Sequence, residues 1–160
     1  MGDNIVKVTA LHPKLADAVA SILTEAKARG LNVGVFSGVR QPEEQQKLFD
    51  LGRTVVNPDG KSDTKPLGNI VTNGTPWSSW HNYGLAVDIV FKNEKGWTWE
   101  KTFPEWEELG KVGELFGVEW GGRWRFQDLP HFQKRGQIQG VGHAKEILFK
   151  DGLEKLWSMV

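Results

Sequence analysis

The sequence predicts an α+β domain: a small antiparallel sheet with helices packed to its sides. Apolar stripes of helical period, three of them opened by a proline, alternate along the chain with short segments of two-residue period, and turn formers cluster between them. With 160 residues and 39% hydrophobic content the chain fits one domain around one core, here residues 1–160. No repeat, linker or low-complexity tract divides it.

Residues 13–29 read as a helix. Pro13 suits the first turn, Leu15, Val19, Ile22 and Ala26 form the apolar stripe, and Gly30 stands as a C-terminal stop. "LNVGVFS" alternates Leu31, Val33 and Val35 against Asn32, Gly34 and Phe36, as a strand does, and a short helix opened by Pro42 follows. Arg40 thus sits at a strand-to-helix corner, a place where side chains meet ligands. Between Arg53 and Pro76 no periodicity holds, so a long surface loop is expected. Its Asn57, Asp59 and Asp63 offer oxygens to a calcium ion, but their spacing does not match an EF-hand and a solvated turn is expected instead.

"GLAVDIVF" is a second strand, with Leu85, Val87, Ile89 and Phe91 on one face and Ala86, Asp88 and Val90 on the other. Residues 104–116 are expected as a helix with Trp106, Leu109, Val112 and Phe116 at helical spacing and Gly117 after it. Val118 and Trp120, then Trp124 and Phe126, read as two short strands of a hairpin turning at Gly121-Gly122, with His131 and Phe132 in a further strand. The tail from His143 to Trp157 is expected as one amphipathic helix.

Composition excludes several classes of function. Twenty basic and twenty acidic side chains cancel, so no global field gathers nucleic acid or an anionic bilayer. With no cysteine, disulfides and zinc-thiolate sites are excluded. The N-terminus lacks the features of a secretory signal, and no apolar run approaches the roughly 18 residues of a membrane span. The chain is expected to be made in the cytosol and to act as a monomer. Eight tryptophans are many, and five of them fall between positions 97 and 124, where core packing is expected to account for most.

The chemistry concentrates in "SSWHNYGLAVDIV" and "DLPHF". A catalytic zinc takes three protein ligands and an open position for water, and without thiols the workable set is two imidazoles plus a carboxylate. His81, Asp88 and His131 supply it. His81 and Asp88 flank a turn at Gly84 that lets both reach one ion, and Asp88, a carboxylate in an apolar strand, needs a cationic partner. Asp128, three residues before His131, is placed to take a proton from metal-activated water and pass it to a leaving amine. His12 and His143 have no such neighbours and are expected to be structural. The same donor set also describes non-haem iron(II) oxygenases, although those carry a His-x-Asp pair on a jelly roll, whereas here the pair is seven apart among helices.

These residues carry a resemblance. Ser79, His81, Gly84, Ala86 and Asp88 match every fixed position of the Ser-x-His-x-x-Gly-x-Ala-x-Asp signature of the zinc D,D-carboxypeptidase and L-alanyl-D-glutamate peptidase group, the peptidase M15 superfamily. "SGVRQPEEQQKLFDLGR" resembles the group's Ser-Gly-x-Arg segment with its Gln-bearing helix, and "WGGRWRFQDLPHF" resembles its closing block. The resemblance implies a Hedgehog/D,D-peptidase-like zinc peptidase fold, Zn2+ held by His81, Asp88 and His131, Asp128 as acid/base, and Arg40 polarising or orienting substrate. It implies substrate contacts for Ser37, Ser79 and Gln45, although a turn-forming role for either serine fits equally.

Asp rather than Glu as the base, the Trp-Gly-Gly block and the compact length resemble the endopeptidase branch, which includes phage endolysins and bacterial cell-wall hydrolases. The implied reaction is hydrolysis of the L-alanyl-D-glutamate bond in peptidoglycan stem peptides, with D-Ala-D-Ala carboxypeptidase or dipeptidase activity as the alternative within the group. A bare catalytic domain without a wall-binding module is expected, acting on the cell wall after holin-dependent release if it is an endolysin. A non-catalytic wall-binding module is disfavoured by the intact Asp128. Gln133 departs from the pattern, since relatives often carry Glu after His-Phe.

Overall fold

The computed structural model describes residues 8–160. Helix α1 spans Pro13–Ala28 and buries Leu15, Ala18, Val19, Ile22 and Ala26 along one face. Its first turn is capped by His12, whose Nδ1 accepts from Lys14 N. Gly30 ends it at φ +78°, and Leu31 N donates to Ala26 O, the close of a Schellman motif. Strand β1 (Val33–Ser37) and helix α2 (Pro42–Asp50) follow as expected. The next irregular stretch is strapped rather than loose. Arg53 donates to Phe49 O, Thr72 O and Asn73 Oδ1, and Asn57 donates to Asn69 O while accepting from Asp59 N.

A 3-10 turn at Trp80–Tyr83 leads into β2 (Ala86–Asn93). Strand β3 (Gly96–Thr98) folds back on β2 as a hairpin, unanticipated from sequence although the Asn93-Glu94-Lys95-Gly96 turn signalled it. Helix α3 (Phe103–Leu115) starts at a Thr102/Glu105 capping box. Then come β4 (Glu119–Trp120), β5 (His131–Gln133), α4 (Val141–Asp151) and α5 (Leu153–Trp157). The sheet runs β1-β2-β5-β4, antiparallel throughout, with β3 beside the far end of β2.

The expected α+β class and helix-flanked antiparallel sheet are what the structure has. Leu15, Ile22, Val87, Ile89, Phe91, Trp106, Leu109, Val112, Trp120 and Phe132 form the main core between the sheet and helices α1 and α3. A second cluster, including Tyr83, Leu85, Ile138, Leu148 and Leu156, lies under the C-terminal helices.

Three expectations need correction. The Gly121-Gly122 pair does not turn a hairpin. Gly121–Arg123 is a 3-10 turn, Gly121 O accepts from both Trp124 N and Asp128 N, and the neighbour of β4 is β5, with Trp120 opposite Phe132. The bonds that would have joined Trp124 and Phe126 to β4 are thus taken by a distant strand. The tail is two helices, because Gly152 adopts φ 92°, ψ 171°, which no helix continues. Of the five clustered tryptophans only Trp106 and Trp120 are core; Trp97, Trp99 and Trp124 are exposed.

Candidate metal centre

Strand register assembles the site. Asp88 on β2 stands directly opposite His131 on β5 and opposite Ser37 on β1. Ordinary pairing would not put Ser37 there, since Val35 pairs with Ile89; a bulge between Val35 and Ser37 makes up the extra residue. Bulges re-aim side chains in this way, and Ser37 Oγ donates to Asp88 Oδ2 at 2.7 Å.

His81 arrives on the 3-10 turn. Ser79 caps that turn, its hydroxyl accepting from His81 N while Asn82 reaches back to Ser79 N, and Gly84 closes it at φ 71°. Asn82 Nδ2 also donates to Arg40 O, and Arg40 N donates to His81 O, so the His81 turn and the Arg40 corner are tied into one unit.

Each ring has one nitrogen committed and one free. A carbonyl only accepts, so His81 Nδ1 donates to Gly38 O at 2.8 Å, and its Nε2 faces Asp88 Oδ2 at 3.4 Å. His131 Nε2 is bonded to Gln133 Oε1 at 2.8 Å, and its Nδ1 faces Asp88 Oδ1 at 3.7 Å. One donor atom from each of His81, Asp88 and His131 lies within 4.8 Å of the others. Ligand atoms at zinc bond lengths of about 2.0–2.1 Å sit roughly 3.3 Å apart around a tetrahedral ion, so this trio fits zinc with little movement and leaves a fourth position open.

The electrostatics are those of a cation site. Burial alone would push the Asp88 carboxyl up, but the His131 and His81 rings that face it, in their protonated forms, and the hydrogen bond from Ser37 outweigh it and hold Asp88 well below the ordinary carboxylate range. Burial alone would push His131 down, yet the facing Asp88 carboxylate, the bond to Gln133 and the charge of Asp128 raise it above the usual imidazole value. Asp128 is raised, first by desolvation and then by repulsion from Asp88, against the opposing charges of His131, His81 and Arg40. Its Oδ2 lies 3.8 Å from His131 Nδ1, and its side chain remains half exposed.

The Trp-Gly-Gly block explains where Asp128 sits. Trp120 Nε1 donates to Leu129 O at 2.7 Å, and a Cβ on Gly121 would stand 2.4 Å from Asp128 O, so only glycine lets the segment close. Arg40 Nη2 lies 4.0 Å from Asp88 Oδ2, while its Nη1 donates to Gln45 Oε1. Gln45 is fully buried and its Nε2 donates to Gly74 O, so both ends of its amide are committed and it bears on the site through Arg40.

A cleft of about 430 Å³ joins these groups, lined by Arg40, Thr72, Gly74, Trp124, His81, Asp88 and His131 among others. Its walls are the Arg40 corner, the end of the long loop at Thr72 and Gly74, and the segment that carries Trp124. His12 and His143 stay outside: His12 caps α1 and bonds Trp157 O, and His143 accepts from Gln139 N. In the long loop the Asn57 amide donates to Asn69 O and accepts from Asp59 N, a turn-type contact. Sequence reasoning missed Gly38 and Glu119, whose contributions come through a backbone carbonyl and a cross-strand contact.

Comparison with known proteins gives this constellation its kin. The family model for D-alanyl-D-alanine carboxypeptidase, of the peptidase M15 type, matches residues 72–134, which span His81, Asp88, Asp128 and His131. Over 132 residues the chain is 32% identical to the peptidoglycan L-alanyl-D-glutamate endopeptidase CwlK of Bacillus subtilis (strain 168), covering 77% of this chain and 72% of that protein. The chain belongs to the peptidase M15 family. Solved structures share the M15 fold. The L-Ala D-Glu endopeptidase ChiX of Serratia marcescens superposes with a TM-score of 0.53 at 23% identity, over 78% of this chain and 80% of that one. The vancomycin-resistance D,D-pentapeptidase VanY from a VanB-type cassette, solved with Zn(II), gives 0.56 at 19% identity over 98% and 92%.

Proposed function

We propose that this M15 peptidase is a zinc enzyme that hydrolyses the L-alanyl-D-glutamate bond of peptidoglycan stem peptides. The observation that carries the reading is the convergence of His81, Asp88 and His131 on one point, with the Asp128 carboxylate beside it across an open cleft. The specificity of CwlK and the Asp at the base position support the endopeptidase choice.

Zinc held by the trio would supply the positive charge that brings a water to a pKa of about 7 and polarises the scissile carbonyl. Asp128 takes a proton from the attacking water as its oxygen bonds to the carbonyl carbon. As the carbon–nitrogen bond breaks, Asp128 returns that proton to the leaving amine. Arg40, steadied by Gln45, offers its guanidinium to the oxyanion or to a substrate carboxylate. Ser37 and Ser79 act on the protein side, the first holding Asp88 and the second capping the His81 turn. On this reading the chain acts on the cell wall.

The test is mass analysis of purified peptidoglycan after digestion by the zinc-loaded protein. New N-terminal D-glutamate is expected. Released D-alanine would move the chain to the carboxypeptidase side of the family, and an undigested wall would overturn the proposal.

A further inference from the structure

Behind His131 runs a polar chain that leads away from the cleft. His131 and Gln133 lie on one face of β5, and Gln133 pairs directly with Glu119 across the β4–β5 register. Gln133 is buried, its Oε1 bonded to His131 Nε2 at 2.8 Å and its Nε2 donating to Glu119 Oε2 at 3.1 Å. Glu119 Oε1 accepts from Arg135 Nε at 2.7 Å, which holds the carboxylate in place.

An amide has two ends of opposite character, and a half-turn exchanges them. A carboxylate only accepts, so Glu119 admits one orientation of Gln133: the NH2 toward itself, the oxygen toward His131. That oxygen in turn requires a proton on His131 Nε2, which leaves Nδ1 bare on the side of Asp88. With the amide reversed, its NH2 would face Nε2, and the ring would carry its proton on Nδ1, the form that cannot bind a metal there.

We propose that Glu119, acting through the amide of Gln133, selects the tautomer of His131 that binds the metal. Both are positioning residues. A glutamate at 133 would need no such selector, because both its oxygens accept; the glutamine here makes Glu119 part of the site. The inference rests on the reading of His131 as a zinc ligand.

The test measures zinc dissociation constants by chelator competition, with thermal unfolding of each metal-free protein as the check on folding. Glu119→Ala and Gln133→Leu are each expected to weaken zinc by roughly 10–100-fold. The double variant should bind no more weakly than Gln133→Leu alone, since the two act in series. In a Gln133→Glu background, Glu119→Ala should cost nothing, because the carboxylate at 133 already presents an acceptor. Unchanged zinc affinity in Glu119→Ala would overturn the proposal, as would an undiminished loss in the Gln133→Glu background, which a purely structural role for Glu119 produces. Should Gln133→Leu fail to fold, the Glu119→Ala pair in the two backgrounds decides alone. A wild-type protein that takes up no zinc would instead sink the metal reading beneath it.

Discussion

Ser37 donates its hydroxyl hydrogen to Oδ2 of Asp88 across 2.7 Å, and the bulge in β1 is what brings the two residues opposite each other. The bond fixes the carboxylate that both histidines face. Hydrogen bonds to charged groups contribute about 1.5–3 kcal/mol, so Ser37→Ala is expected to weaken zinc binding by roughly tenfold or more while the fold persists. Chelator competition measures this; an unchanged affinity would show that the bulge serves the sheet alone.

Asp128 lies beside the trio and is half exposed, so its loss removes no core packing. Asp128→Asn should retain zinc and thermal stability and lower kcat by about 10²–10⁴-fold. Turnover near the wild-type rate in a zinc-loaded variant would remove Asp128 as the base.

His131 sets a pH dependence with a definite sign. In the metal-free protein its pKa is raised above the usual 6.5 by Asp88, Gln133 and Asp128 against the effect of burial. A raised imidazole contributes stability that is fully present below its unfolded value and lost as pH rises through its folded value. Zinc needs the neutral ring, so its affinity should climb by about tenfold per pH unit from pH 6 and flatten only above that folded value. Metal-free and zinc-loaded melting temperatures should therefore diverge as pH rises from the usual imidazole value through the raised one. A constant gap would contradict the coupling.

Gly84 holds φ 71° where the His81 turn meets β2, and a Cβ there would stand 2.4 Å from Ala10 O. The left-handed conformation alone costs a non-glycine residue about 1–2 kcal/mol. Gly84→Ala should lower the melting temperature by at least roughly 2 °C and weaken zinc binding through the displaced His81. A variant as stable as the parent would show that the turn relaxes freely.

Much of this molecule was legible locally. The stripe of Leu15, Val19, Ile22 and Ala26, the prolines at helix starts and the alternation around Asp88 each depend on neighbours a few residues away, and the structure has each of those elements. The errors share a cause. The hairpin at Gly121-Gly122 was a sound local signal, but β5, arriving from eleven residues beyond Trp120, occupies the edge that the hairpin needed. The single tail helix overlooked Gly152 because the apolar spacing continues across it.

The amino-acid order by itself determined the α+β class and the supply of ligands, because periodicity, caps and residue chemistry are properties of short stretches. Only the tertiary structure decided which nitrogen of each histidine is free, that Ser37 faces Asp88, and that Glu119 stands behind Gln133. Those depend on strand register and on single hydrogen bonds between residues far apart in the chain, where a shift of one residue would turn every side chain to the opposite face.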